Sequence, residues 1–142
     1  MTDEKLPQHF VLINGFLRSK FHWGKLPDLL KYDLGAKSID LLELPGNGYS
    51  NLERTPDDID EVIQIFRKQV PQQGLPCVIL GQCLGGVVGT RWAQLYPKEV
   101  SHLIVLNTSS SHSPLHKRIN PLMYSSLIKN MVLSEPIGFE KF

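Results

Sequence analysis

A chain of 142 residues fits one domain and can bury enough apolar surface for a true core. Fifteen Lys and Arg against fourteen Asp and Glu leave a formal charge of +1 with no basic or acidic block, which argues against nucleic acid and anionic membrane as partners. The N-terminus, Met1-Thr2-Asp3-Glu4-Lys5, lacks the pattern of a signal peptide, and the uncharged stretch from Gln69 to Thr90 is too interrupted by Pro71, Gly74 and Pro76 to span a membrane.

The first element in chain order is Phe10-Val11-Leu12-Ile13, an apolar run ended by Asn14-Gly15, which reads as a buried strand entering a loop. Apolar residues then recur at Leu26, Leu29, Leu30 and Leu34, a helical spacing that tolerates Pro27 in its first turn. Ser38 to Leu44 reads as a second strand, closed by Pro45-Gly46-Asn47-Gly48. Thr55-Pro56-Asp57-Asp58 predicts a helix start, with Thr55 as N-cap, Pro56 at the first helical position and acids against the positive end of the dipole. The stripe Ile59, Val62, Ile63 and Phe66 gives this helix a face to bury. Pro76 to Leu80 reads as the third strand, Leu84 to Tyr96 as a helix stopped by Pro97, and Leu103 to Leu106 as the fourth strand. A polar stretch follows Asn107, then a helically periodic segment from Leu122 to Val132, so residues 107–142 read as the start of a lid or cap. This alternation predicts an α/β fold, a parallel sheet of about four strands flanked by helices, in a single domain over residues 1–142.

The segment richest in chemistry runs from Val78 to Gly89. An apolar strand enters a glycine-framed turn with Cys83 at its tip, and an apolar helix follows at once. That is the setting of a G-x-nucleophile-x-G turn, with cysteine where serine is commoner. Such a turn holds its central residue in a strained left-handed conformation, so the residues two before and two after it must be small; Gly81 and Gly85 stand there. A nucleotide-binding strand-to-helix turn is also Gly-rich, but neither G-x-G-x-x-G nor G-x-x-x-x-G-K-[ST] is present. Cys83 lies where a helix N-terminus favours a thiolate, whereas Cys77, on the strand itself, reads as a small buried hydrophobe. The strand between the two cysteines holds them roughly 20 Å apart, too far for a disulfide, and the expectation is a cytoplasmic protein with reduced thiols.

Three motifs in order make the chain resemble the α/β-hydrolase superfamily, in its esterase-like branch. Ile13-Asn14-Gly15-Phe16 is similar to the family's H-G-x oxyanion loop, with Asn14 in place of histidine. Glu43-Leu44-Pro45-Gly46-Asn47-Gly48-Tyr49-Ser50 resembles the D-L-P-G-H-G-x-S loop, and Gly81-Gln82-Cys83-Leu84-Gly85-Gly86 with Trp92 to Pro97 resembles G-H-S-M-G-G and the A-x-x-Y-P helix end. The resemblance implies Cys83 as the nucleophile of an acyl-enzyme, an oxyanion hole made by the backbone N–H groups of Phe16 and Leu84, no cofactor, no metal, and a small acyl ester or thioester as substrate. It also implies an Asp or Glu and then a His after the nucleophile, on loops following later strands.

The chain stops at Phe142, where the family enters its lid, so the expectation is an N-terminal portion without that acid and base. His9 precedes the first strand, His22 follows the oxyanion loop and His102 begins the fourth strand. His112 and His116 fall on the side where active-site loops gather, although loop histidines of that kind are usually solvated. Asp40, Asp57, Asp58 and Asp60 read as a strand-face polar residue and helix N-terminal acids. Three functional readings stay open: an ester or thioester hydrolase, a catalytically silent binding domain in which the serine has been lost, and an acyltransferase using the same turn. The G-x-C-x-G-G pattern also resembles the corresponding turns of dienelactone hydrolases and polyhydroxyalkanoate synthases. A sheet that ends at Leu103–Leu106 leaves an unpaired edge, an expected site of self-association.

Overall fold

The computed structural model describes residues 9–71 and 75–108, which fall within one of the chain's two units, Met1–Thr108. Four strands, β1 (His9–Ile13), β2 (Ser38–Leu42), β3 (Cys77–Gln82) and β4 (Val100–Leu106), form a parallel sheet in the order β2-β1-β3-β4. Three helices connect them: α1 (Leu26–Asp33), α2 (Ile59–Gln69) and α3 (Leu84–Leu95), with short 3-10 turns at Lys20–Trp23 and Gly48–Ser50. The expected α/β sheet of four strands is therefore present. The lid expected over 107–142, including His112, His116 and the segment from Leu122 to Val132, lies beyond the described residues except for Asn107 and Thr108.

Helices cover the sheet on both faces, which is why the central strands read as unbroken apolar runs. Phe10 pairs with Ile39 on one side and Val78 on the other, and successive residues point to opposite faces. Val11, Ile13, Leu42 and Ile79 pack against Val62, Ile63 and Phe66 of α2 and against Val88 and Trp92 of α3. Phe10, Leu12, Val78 and Leu80 point the other way, into a second cluster with Trp23, Leu30 and Ala36. An 11-residue helix such as α2 is marginal by itself, so its stability comes from docking; burying each of its core side chains contributes about 1.5–3 kcal/mol. A bidentate pair, Arg91 Nε and Nη2 each donating to an Asp60 carboxylate oxygen at 2.8 Å, ties α2 to α3 on the outside.

Several boundaries differ from the sequence reading. The N-cap of α2 is Asp58, not Thr55: Asp58 has an extended backbone and its carboxylate accepts the Asp60 N–H at 3.0 Å. Thr55 instead donates its hydroxyl to the Pro45 carbonyl at 3.1 Å, bracing the preceding loop. Strand β4 starts at Val100, which pairs with Cys77; the exposed His102 pairs with Val78, and Ser101 between them falls at a register shift, its hydroxyl donating to the Cys77 carbonyl at 2.9 Å. His9 belongs to β1, where it is buried: its Nδ1 shares a hydrogen bond with Ser38 Oγ, and its Nε2 lies 2.9 Å from Asp40 Oδ2. Asp40 is thus the polar strand-face residue expected, and its partner is the neighbouring strand's histidine.

Candidate active site

Cys83 occupies the turn between β3 and α3, as the N-cap of α3, with φ 53° and ψ −119°. A non-glycine residue persists in such a conformation only where its surroundings determine it. Here its N–H donates to the Leu106 carbonyl at 2.9 Å, and its own carbonyl accepts from Thr108 Oγ1 and Gly86 N, both at 3.1 Å. Space does the rest. A methyl group on Gly81 would stand 2.6 Å from Gly86 Cα, and one on Gly85 would stand 2.6 Å from the Asn14 carbonyl oxygen. The helix can approach the sheet that closely only because both positions are glycine. Cys83 itself is exposed, and Leu84, the first residue of α3, has an N–H among those that a helix leaves without an internal acceptor.

The loop after β1 lies directly against this turn. A methyl on Gly15 would be 2.8 Å from Cys83 Cβ and 3.5 Å from Sγ, so the backbone leading into Phe16 passes beside the thiol. The loop after β2 holds it from the far side. The Leu17 N–H donates to Asn47 Oδ1 at 2.8 Å, the Lys20 N–H to Glu43 Oε1 at 2.7 Å, and the Tyr49 N–H to Glu43 Oε2 at 2.9 Å. Within its own loop the buried Asn14 donates its amide to the Ser19 carbonyl. The outer surface of the two loops is apolar and exposed, formed by Phe16, Leu17, Phe21 and Tyr49, with Phe21 and Tyr49 edge to face at 5.4 Å and Lys20 Nζ over both rings.

The other groups singled out from the sequence are elsewhere. Cys77 is fully buried at the opposite end of β3, and burial pushes its thiol up to about 11. His9 lies at the N-terminal end of β1, away from the turn that holds Cys83, His22 is in the 3-10 turn with Ser19, and His102 is an exposed residue of β4. His112 and His116 lie outside the described residues. Glu43, Asn47 and Thr108 were not singled out from the sequence. Each meets a backbone group distant along the chain, and of the three only Glu43 and Asn47 leave a trace in the sequence, as members of the Glu43-to-Ser50 motif.

A parallel sheet whose third strand turns sharply into a glycine-rich helix, with the loop after the first strand folded against that turn, defines the α/β-hydrolase class. The chain belongs to this family: residues 8–136 match the family described as alpha/beta hydrolase fold. It is 28% identical over 134 residues to a pimeloyl-[acyl-carrier protein] methyl ester esterase of Aliivibrio fischeri, covering 93% of this chain and 49% of that protein. It is 26% identical over 106 residues to the Bacillus subtilis protein YbdG, covering 73% of this chain and 32% of that one. Among solved structures, a marine microorganism esterase superposes with a TM-score of 0.67 at 18% identity, covering 91% of this chain and 48% of that one. A thioesterase from the prodiginine pathway of Streptomyces coelicolor gives 0.63 at 15% identity, covering 87% and 49%. The chain thus spans half or less of the length of the curated relatives it matches. No helix among the described residues is long and apolar enough to cross a membrane.

Proposed function

We propose that Cys83 is the nucleophile of a carboxylic-ester or thioester hydrolase site that works through an acyl-enzyme. The observation that carries this reading is the exposed Cys83 at φ 53° with Gly15 folded against it. The thiolate sulfur attacks the acyl carbon, the S–C bond forms as the carbonyl electron pair moves onto oxygen, and the resulting oxyanion is met by the N–H groups of Leu84 and Phe16. Collapse of that intermediate breaks the bond to the alkoxide or thiolate, which leaves and takes up a proton from water. Donors of this kind act on charge that exists only in the transition state, and losing one costs about 10²–10³ in rate. The name of the Aliivibrio relative, an esterase for an acyl methyl ester, supports an ester substrate, and free Cys77 and Cys83 are in keeping with a reducing, cytoplasmic setting.

The test is the reaction with p-nitrophenyl acetate. The expected result is a stoichiometric burst of p-nitrophenolate with the acetyl group found on Cys83 by mass spectrometry; acetylation elsewhere, or none, defeats the reading and leaves a binding domain. Hydrolysis of the acyl-enzyme needs a base to activate water, and in a well-studied triad loss of the base alone costs about 10⁶ in rate. A burst without a steady state is therefore expected, and sustained turnover lost in Cys83→Ala makes His112 and His116 the first bases to replace. The same reading gives β4, whose Ile104, Val105 and Leu106 are exposed and which is an edge among the described residues, as a pairing surface for a second copy. Light scattering after size exclusion checks this, and a monomer at all concentrations removes it.

A further inference from the structure

The oxyanion loop needs support that its own sequence does not supply. Leu17, the residue after Phe16, sits at φ 59°, a left-handed conformation that a branched side chain rarely adopts and that persists only under outside constraint. The constraint comes from two buried polar side chains on the other loop. Asn47 accepts the Leu17 N–H, and its own amide is fixed by donating to the carbonyls of Leu44 and Pro45 at 3.3 and 3.2 Å. Glu43 divides its carboxylate between two loops, one oxygen on the Lys20 N–H and the other on the Tyr49 N–H. Gly48, at φ 52°, lies against that carboxylate; a methyl there would be 2.8 Å from Glu43 Oε1. Hydrogen bonds with an ionised acceptor are about twice as strong as neutral ones, so this cross-loop brace is the firm one.

We propose that Glu43 and Asn47 are positioning residues for the oxyanion hole: by holding the Lys20 and Leu17 N–H groups they fix the backbone on the far side of Phe16 and aim the Phe16 N–H at the acyl oxygen beside Cys83. The proposal rests on the acyl-enzyme reading above. Displacing a donor by about 1 Å costs on the order of 10² in rate, because the geometry at the reacting atom is what the enzyme supplies. Alkylation of Cys83 by iodoacetamide forms an S–C bond with loss of iodide and develops no oxyanion, so it is blind to that donor. Acylation and alkylation of one sulfur therefore separate positioning from general damage.

The experiment compares wild type, Glu43→Gln, Asn47→Leu and Asn47→Asp by p-nitrophenyl acetate burst rate and by iodoacetamide mapping of both cysteines. Glu43→Gln points an amide at one of the two N–H groups, and Asn47→Leu removes the Leu17 acceptor; both are expected to slow acylation by on the order of 10²-fold with Cys83 alkylation unchanged. Asn47→Asp keeps the acceptor and is expected to recover most of the acylation rate that Asn47→Leu loses. Wild-type burst rates in Glu43→Gln and Asn47→Leu overturn the proposal alone, and equal loss of acylation and alkylation, or no recovery in Asn47→Asp, also overturns it. Labelling of the buried Cys77 reports unfolding, and if both variants show it the residues are structural supports only. Absence of a burst from the wild type, with Cys83 still alkylated, removes the acyl-enzyme reading and this proposal with it.

Discussion

Arg67 of α2 grips Glu99, in the loop before β4, with Nε at 3.0 and 3.1 Å from the two carboxylate oxygens and Nη2 at 2.6 Å. The indole of Trp92 completes the cage by donating to Glu99 Oε2 at 2.9 Å, and the guanidinium lies 3.7 Å from the centre of the Tyr96 ring. One carboxylate thus joins α2, α3 and the entry to β4, on the face of the sheet where Cys77 is buried.

This cage gives a pH dependence with a definite sign. Hydrogen bonding from Arg67 holds the Glu99 carboxyl below its ordinary value of 4.5, against the opposing effect of burial and with further help from Trp92. A carboxyl with a lowered folded-state value contributes stability that is complete above the unfolded value and is lost as pH falls through the folded one. Glu99→Gln is expected to cost on the order of 1–3 kcal/mol at neutral pH and nothing in strong acid, where the wild-type carboxyl is protonated. Urea midpoints for the two proteins across the acid range check this; parallel curves that never converge contradict it.

The cysteines are expected to differ in reactivity. Cys83 is exposed, whereas Cys77 is buried, with its thiol raised to about 11. Brief iodoacetamide treatment at neutral pH is expected to modify Cys83 alone, because only accessible thiolate reacts. Peptide mapping with equal labelling at both sites contradicts the described burial.

Two glycines of α3 make a matched pair. A methyl on Gly85 meets backbone, the carbonyls of Ile13 and Asn14, which cannot yield without parting helix from sheet. A methyl on Gly89 meets side chains, Ile79 Cγ2 at 2.8 Å and Leu103 Cδ1 at 3.2 Å. Gly89→Ala is expected to cost about 1–3 kcal/mol, in the range of overpacked cores, and Gly85→Ala more than that. Thermal melts rank them, and a reversed order would show that the turn yields more easily than the core.

Asp58→Ala is expected to destabilise α2 by about 1 kcal/mol through loss of its cap on the Asp60 N–H. Thr55→Ala removes only the bond to Pro45 and leaves the helix start intact. Amide exchange at Asp60 discriminates: it quickens in the first variant and not in the second.

The elements legible in the sequence are those in which burial writes a pattern. Phe10 to Ile13 and Val78 to Leu80 are apolar on both faces because helices cover both, and Val62, Ile63 and Phe66 recur at helical spacing because one face of α2 meets the core. The start of β4 leaves no apolar pattern, since His102 joins the ladder through a backbone that any residue supplies and Ser101 falls at a register shift. The cap of α2 departs from its sequence signal for a related reason: Thr55-Pro56 carries a standard starting signal, yet the Thr55 hydroxyl is taken by Pro45, ten residues earlier in the chain. At the site, Cys83 and its flanking glycines were visible because close approach restricts residue type. Glu43 and Asn47 show only as members of a loop motif and not by role, because each holds the main chain of a loop more than twenty residues away.

Among the described residues, the contacts that fix Cys83 in its left-handed conformation run through its backbone. They use its N–H, its carbonyl and the room left by Gly81 and Gly85. The seat described for residue 83 is thus built from main-chain groups and from the space that two glycines leave, so it constrains the backbone there and not the side-chain atom.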